Sequence, residues 1–98
     1  MKVEYSRQFM KASYKLSGKY ITALQKIISE VKSARNVSDV TDCIKLAGFL
    51  HTYRIKMGDY RMIFTMKEED TAVFQLLLSR GDIYKKGNEE QLRRKDRL

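Results

Sequence analysis

Tyr53-Arg54-Ile55-Lys56-Met57-Gly58-Asp59-Tyr60-Arg61-Met62-Ile63-Phe64 reads as a complete β-hairpin. Gly58-Asp59 is a two-residue turn of type I′ or II′, and the segments on either side are rich in aromatic and branched residues. A two-residue loop sets Met57 opposite Tyr60, Lys56 opposite Arg61, Ile55 opposite Met62, Arg54 opposite Ile63 and Tyr53 opposite Phe64. The pleat then sorts side chains by face. Tyr53, Ile55, Met57, Tyr60, Met62 and Phe64 make a core face, while Arg54, Lys56 and Arg61 share the other. Like charges directly opposite each other cost up to about 1 kcal/mol. A sequence that places Lys56 across from Arg61 needs either good solvation or a use for the positive charge.

The rest of the chain bounds that use. Ninety-eight residues make one domain with room for a single core. A hydrophobic content of 43% with 33% charged residues is ordinary for a globular chain, but a net charge of +8 is not, and it favours a polyanionic partner: nucleic acid or an acidic protein. Cys43 is the only cysteine. It rules out a disulfide framework and a cysteine-based metal site, points to a reducing, cytoplasmic setting, and is a poor nucleophile candidate. No window approaches the length of a membrane span, and the chain has no proline, repeat or low-complexity run.

Taken in order, Lys2-Val3-Glu4-Tyr5 alternates like a short strand, and Ser6 is a plausible N-cap for a helix bearing Phe9, Met10 and Tyr14. Gly18 interrupts. From Lys19 to about Ala34, Tyr20, Ile21, Leu24, Ile27, Ile28, Val31 and Ala34 recur at helical spacing, with Lys26, Glu30, Lys32 and Arg35 on a solvated face. Residues 36 to 42 favour caps and turns, with one short helical turn. After the hairpin, residues 67 to 71 form a polar loop. Ala72-Val73-Phe74-Gln75-Leu76-Leu77-Leu78 then suits a strand covered on most of both sides, broken only by Gln75. The last fourteen residues carry six basic and three acidic groups and little apolar surface beyond Leu92. Residues 87 to 98 are therefore expected to be a charged tail, frayed or disordered, beyond a domain of residues 1 to 86.

Lys45-Leu46-x-Gly48, then Tyr53-Arg54-Ile55-Lys56-x-Gly58-Asp59-Tyr60-Arg61, then a buried strand, then Arg80-x-x-Ile83-Tyr84 resembles the RelE/ParE superfamily of type II toxin-antitoxin toxins, most closely its RelE branch. The resemblance spans about residues 1 to 86 and rests on the order and spacing of several short motifs. It implies a small α+β domain: a twisted, mainly antiparallel sheet, an N-terminal helical hairpin packed on one face, and a basic concave face opposite. It also implies a toxin that enters the decoding site of the ribosome and cuts mRNA there, by attack of a ribose 2′-hydroxyl on the adjacent phosphate, without cofactor or metal. A cognate antitoxin would bind it in a hetero-oligomer. Residue by residue, Arg54 and Lys56 fall on the paired basic positions of the first hairpin strand, Arg61 on the arginine after the Gly-Asp-Tyr turn, Arg80 and Tyr84 on the closing motif, and Lys45 on the lysine before Leu-x-Gly. Many relatives have a histidine just before the closing arginine. Ser79 stands there in this chain, and His51, at the start of the hairpin, reads as a structural or surface residue.

Phosphodiester cleavage independently asks for the same residue types: a proton acceptor, cations for the charge developing on phosphorus, and help for the leaving oxygen. Lys56 between two arginines is the candidate base, Arg61 and Arg54 suit phosphate clamping, and Tyr84 can stack or hydrogen-bond, while the resemblance adds Arg80 to the catalytic set with Lys56, Arg61 and Tyr84. Lys45 and Arg54 are expected to bind RNA. Two other classes remain open: a ParE-like inhibitor of DNA gyrase, which would not require a three-cation face, and a non-cutting RNA- or ribosome-binding homologue. A metal-dependent nuclease has no support, because Glu68, Glu69 and Asp70 share a loop without a partner site.

Overall fold

The computed structural model describes residues 1–97. In chain order they form β1 (Lys2–Tyr5), α1 (Arg7–Ser13), α2 (Gly18–Ser33), a 3₁₀ turn (Val37–Asp39), β2 (Cys43–Lys45), β3 (Thr52–Met57), β4 (Tyr60–Lys67), β5 (Thr71–Ser79), a second 3₁₀ turn (Asp82–Tyr84) and α3 (Lys86–Asp96). The five strands make one sheet in the order β1-β5-β4-β3-β2. It is antiparallel throughout except for β1, which pairs parallel to β5. The hairpin register is the one the turn dictates, from Met57 opposite Tyr60 to Tyr53 opposite Phe64. Gly58 has φ +58° and Asp59 is not among the positive-φ residues, which is the pattern of a type II′ turn and not of type I′.

The helical hairpin covers the apolar face. Ile28 and Val31 of α2, with Phe9 of α1, share one buried cluster with Ile55, Met62, Phe64 and Phe74, and Leu24 packs against it. Ser6 ties this layer to the sheet. Its hydroxyl caps α1 by accepting from the Phe9 N–H at 3.0 Å and donates to the Gln75 carbonyl at 2.6 Å. That carbonyl is available because the β4–β5 register shifts by one residue between Ile63↔Leu76 and Phe64↔Phe74, leaving Gln75 as the extra residue of a β-bulge. The one polar residue within the apolar run of residues 72 to 78 marks the place where that strand's alternation resets.

The chain's end departs from expectation. Residues 86 to 96 form a helix that docks on the second face of the sheet, and Leu92, fully buried, completes a second cluster with Leu46, Phe49, Ile63, Leu76 and Ile83. The tail has too little apolar surface to order itself alone, but the sheet presents a hydrophobic recess for its leucine, and burying that side chain contributes about 1.5 to 3 kcal/mol. Asp96 locks the contact. Its carboxylate accepts from the N–H groups of Leu50 (2.7 Å) and His51 (2.6 Å) and from the Thr52 hydroxyl (2.8 Å), which also meets the Thr65 hydroxyl at 3.3 Å. A carboxylate on the last turn opposes the helix dipole by about 0.3 to 1 kcal/mol. Three charge-assisted hydrogen bonds outweigh that cost. Arg93 adds a second clamp, donating to the Gly48 carbonyl and lying 4.5 Å over the Phe49 ring.

Burial pushes the Asp96 carboxyl up, yet the donors of Leu50, His51 and Thr52 pull it further, so it lies below the ordinary value of 3.8. A carboxyl depressed in the folded state stabilises it above that value and loses the contribution as pH falls through the folded pKa. Protection factors of the α3 amides, corrected for the intrinsic exchange rate, should therefore fall as pH drops from about 4 toward about 2, before the sheet opens, and Asp96→Asn should abolish that step. Asp96→Ala, which strands the buried Thr52 hydroxyl and two part-buried N–H donors, should lower unfolding free energy by about 2 to 4 kcal/mol in urea denaturation. Unchanged α3 protection across this pH range would show that the carboxylate does not hold the helix.

Candidate functional site

The β3–β4 hairpin runs from beneath α3 out to an open end, and the cations occupy the open end. Thr52, Arg54 and Lys56 of β3 alternate onto the α3 side of the sheet, as do Arg61, Ile63 and Thr65 of β4. Ile63 and the two threonines are buried, Arg54 and Arg61 are half-buried, and Lys56 is exposed. Lys56 and Arg61 thus sit opposite each other on an accessible surface. Arg54, paired with the buried Ile63, stands at the margin of the covered zone.

The turn holds Arg61 in place. Its Nη1 donates to the carbonyls of Gly58 (2.8 Å) and Tyr60 (2.9 Å), so the guanidinium folds back over the turn. Three of the five guanidinium N–H donors lie on Nε and Nη2 and take no part in these bonds. Arg80 starts from the same end of the sheet, since its N–H donates to the Asp59 carbonyl at 2.8 Å. Among the described residues, the four ion pairs are Lys2–Asp70, Lys67–Glu4, Lys85–Asp82 and Arg93–Glu89, none of which uses Arg54, Lys56, Arg61 or Arg80.

Two sequence candidates fall elsewhere. Lys45 pairs with Tyr53, and in an antiparallel ladder directly opposed side chains share a face, so Lys45 lies on the α2 side of edge strand β2 and not with Arg54 and Lys56. The motif places Lys45 near the hairpin in sequence, but its face is assigned only by the pairing of the three-residue strand β2 with β3. Tyr84 ends the 3₁₀ turn whose Ile83 enters the second cluster, and the residue itself is 74% exposed. It borders a hollow of about 320 Å³ with Lys86, Glu89, Glu90 and Arg93 of the C-terminal region. His51 is exposed and serves through its backbone, donating to Asp96 and accepting from the Met66 N–H.

A cleft of about 360 Å³ flanks the cations on the β2 side. Lys56 and Lys26 line it together with Glu30, Thr41 and Asp42. Lys26 belonged to the solvated face of α2 in the sequence, and no helical periodicity could have placed it beside Lys56. Glu30 is engaged, accepting from the Thr41 N–H at 2.7 Å and its hydroxyl at 3.2 Å.

A sheet with one packed face and, at the free end of the other, a group of cations without carboxylate partners defines a small α+β protein suited to a polyanion. No family model matches the chain. It is 31% identical over 85 residues to Toxin RelE3 of Methanocaldococcus jannaschii, covering 86% of this chain and 96% of the relative. The RelB-RelE antitoxin-toxin complex from Methanococcus jannaschii superposes with TM-score 0.71 at 26% identity, over 83% of this chain and 94% of that one. The archaeal RelE-RelB complex from Pyrococcus horikoshii OT3 gives 0.68 at 24% identity, over 82% and 94%, a likeness of fold. The chain belongs to the RelE family of toxins.

Cys43, half-buried opposite Ile55, does not contribute a nucleophile. Burial pushes its thiol up to about 11, against the pull of Arg54 and with a smaller push from Glu30. Only about one molecule in a thousand then carries the thiolate at pH 8. Iodoacetamide should label Cys43 in the folded protein more than about tenfold more slowly than a free cysteine at pH 8, even allowing for the greater nucleophilicity of a high-pKa thiolate, and the rate should climb steadily toward pH 10. Fast labelling at pH 7 would contradict the buried setting.

Proposed function

We propose that this toxin is a ribosome-dependent endoribonuclease that cuts mRNA by attack of a ribose 2′-hydroxyl on the adjacent phosphate. The observation that carries the reading is the group of Arg54, Lys56 and Arg61 on one accessible face, with the Arg61 guanidinium fixed by two backbone carbonyls. In the reaction the 2′-oxygen bonds to phosphorus and the bond to the 5′-oxygen breaks, leaving a cyclic phosphate and a 5′-hydroxyl. The 2′-hydroxyl proton must leave and the departing oxygen must gain one. A guanidinium stays protonated, so of the three hairpin cations only Lys56 can exchange a proton. Arg61 and Arg54 clamp the phosphate oxygens where charge develops, and a guanidinium already held in place does so without reorganising.

Arg80 enters from the same end of the sheet and adds a further cation. Tyr84, exposed and on the α3 side, offers a ring on which a base of the message can stack. Lys45, on the other face, is left out of the RNA-contacting set. The partner that neutralises the toxin is an antitoxin, as in the two archaeal complexes, and a chain of net charge +8 favours an acidic one. Co-expression with the neighbouring open reading frame tests this part: growth arrest by the toxin alone, relieved by the second protein, is the expected result.

Primer extension on message in translating ribosomes tests the site. Arg61→Ala should lower cleavage about a hundred- to a thousandfold, the usual cost of one preorganised donor. Arg61→Lys keeps the charge without the planar fork and should fall between the two. Stability should move by less than about 1 kcal/mol, since the two hydrogen bonds lost lie at the surface and the repulsion from Lys56 is relieved. Lys45→Ala should cleave like the wild type. Activity that falls only in step with the folded fraction would make Arg61 structural and end the nuclease assignment of this face.

A further inference from the structure

Arg61 is held by carbonyls of the turn, so whatever fixes the turn fixes Arg61. Tyr20 on the first turn of α2 does so. Its ring meets Tyr60 edge-on, with centroids 4.8 Å apart and planes at 77°. A Cβ built on Gly58 would lie 3.2 Å from Tyr20 Cε1 and 3.3 Å from its hydroxyl oxygen, so the Gly58 peptide rests directly against the ring. The residues on either side of Asp59 are thus both pressed by one aromatic side chain, and these two residues supply the acceptors for Arg61 Nη1. A two-residue turn left free at the end of a hairpin is mobile. Here it is buttressed from the helical layer.

We infer that Tyr20 is a positioning residue for the nuclease site, acting through the Gly58 and Tyr60 backbone to fix the Arg61 guanidinium. The inference rests on the assignment of Arg61 as the phosphate clamp. The ring performs this role and not the hydroxyl, because the contact with Tyr60 is made by the ring and the oxygen merely abuts Gly58. Glycine at 58 suits the turn's φ of +58°, and a side chain there would also have to displace the supporting ring slightly.

The test is a double-mutant cycle on RNA cleavage, paired with NMR of the Arg61 guanidinium. Tyr20→Ala should lower kcat about ten- to a hundredfold with little change in KM, as expected of a misplaced catalytic group, while Tyr20→Phe stays within about threefold of wild type. In an Arg61→Ala background, Tyr20→Ala should cost less than about twofold more. The Arg61 Nη protons should be resolved by hindered rotation in the wild type and in Tyr20→Phe, and averaged in Tyr20→Ala. If Tyr20→Ala does not fold, Tyr20→Leu keeps apolar bulk without the flat ring, and the same outcomes apply. A Tyr20 effect undiminished without Arg61, or full activity per folded molecule, overturns the inference and leaves the site assignment standing. An Arg61→Ala protein that cleaves normally overturns the site assignment instead; the NMR comparison then decides alone whether Tyr20 fixes the guanidinium, and resolved Nη protons in Tyr20→Ala would refute it.

Discussion

The register of the β3–β4 hairpin is the constraint on which the rest depends. Side chains alternate with period two, so a slip of one residue would turn Arg54, Lys56 and Arg61 into the helical layer and put Ile55, Met62 and Phe64 in water. The penalty, several buried cations against several lost apolar contacts, far exceeds any local preference of the turn. Gly58 converts that preference into geometry by taking the positive φ that a type II′ turn needs. The tight turn then delivers two carbonyls to the side chain three residues on, and the packing that excludes the wrong register also orients Arg61.

The second face of the sheet divides along the same strands. At one end Ile63 and Leu76 lie under Leu92, and Thr52 and Thr65 close around Asp96. At the other end the cations stand free. Burying the whole face would have required long basic side chains to be desolvated without partners, so the covering helix can reach only as far as the apolar and hydroxyl positions go. Arg54, opposite Ile63, marks the border. The C-terminal helix is anchored by Leu92, by the Asp96 carboxylate, by Arg93 over Phe49, and by side-chain hydrogen bonds from Gln91 to Gln8 and from Asn88 to the Asp82 carbonyl.

Much of this was legible in the chain because it is local. The turn type limits the register, the register sorts the faces, and the helical spacing from Tyr20 to Val31 identifies the layer that covers the apolar side. Gln75 was visible as an interruption, though its meaning as a bulge depends on the partner strand. What escaped was set by distant pairing. Lys45 could be given a face only through β2, a three-residue edge strand whose identity comes from its partner and not from its own pattern. The tail carried one apolar residue and looked unable to fold, a judgement true of the isolated segment and false beside a recess lined by Leu46, Phe49 and Ile63. Asp96 looked like one charge among many, and its three donors come from residues more than forty positions earlier.

The manner in which the cations are held bears on their use. A carboxylate beside Arg61 would fix it more firmly, since hydrogen bonds to charged groups contribute about twice as much as neutral ones. It would also cancel the field and compete with a phosphate for the same donors. Backbone carbonyls orient a guanidinium while leaving its net charge intact, and the open end of the sheet uses carbonyls at Gly58 and Tyr60 where an acidic side chain was available at Asp59. The repulsion between Lys56 and Arg61 goes uncompensated by any of the ion pairs, at a cost of up to about 1 kcal/mol. An anion bound between them would relieve that strain. If this face binds phosphate, as proposed, relief of that repulsion would add to the affinity without any further contact.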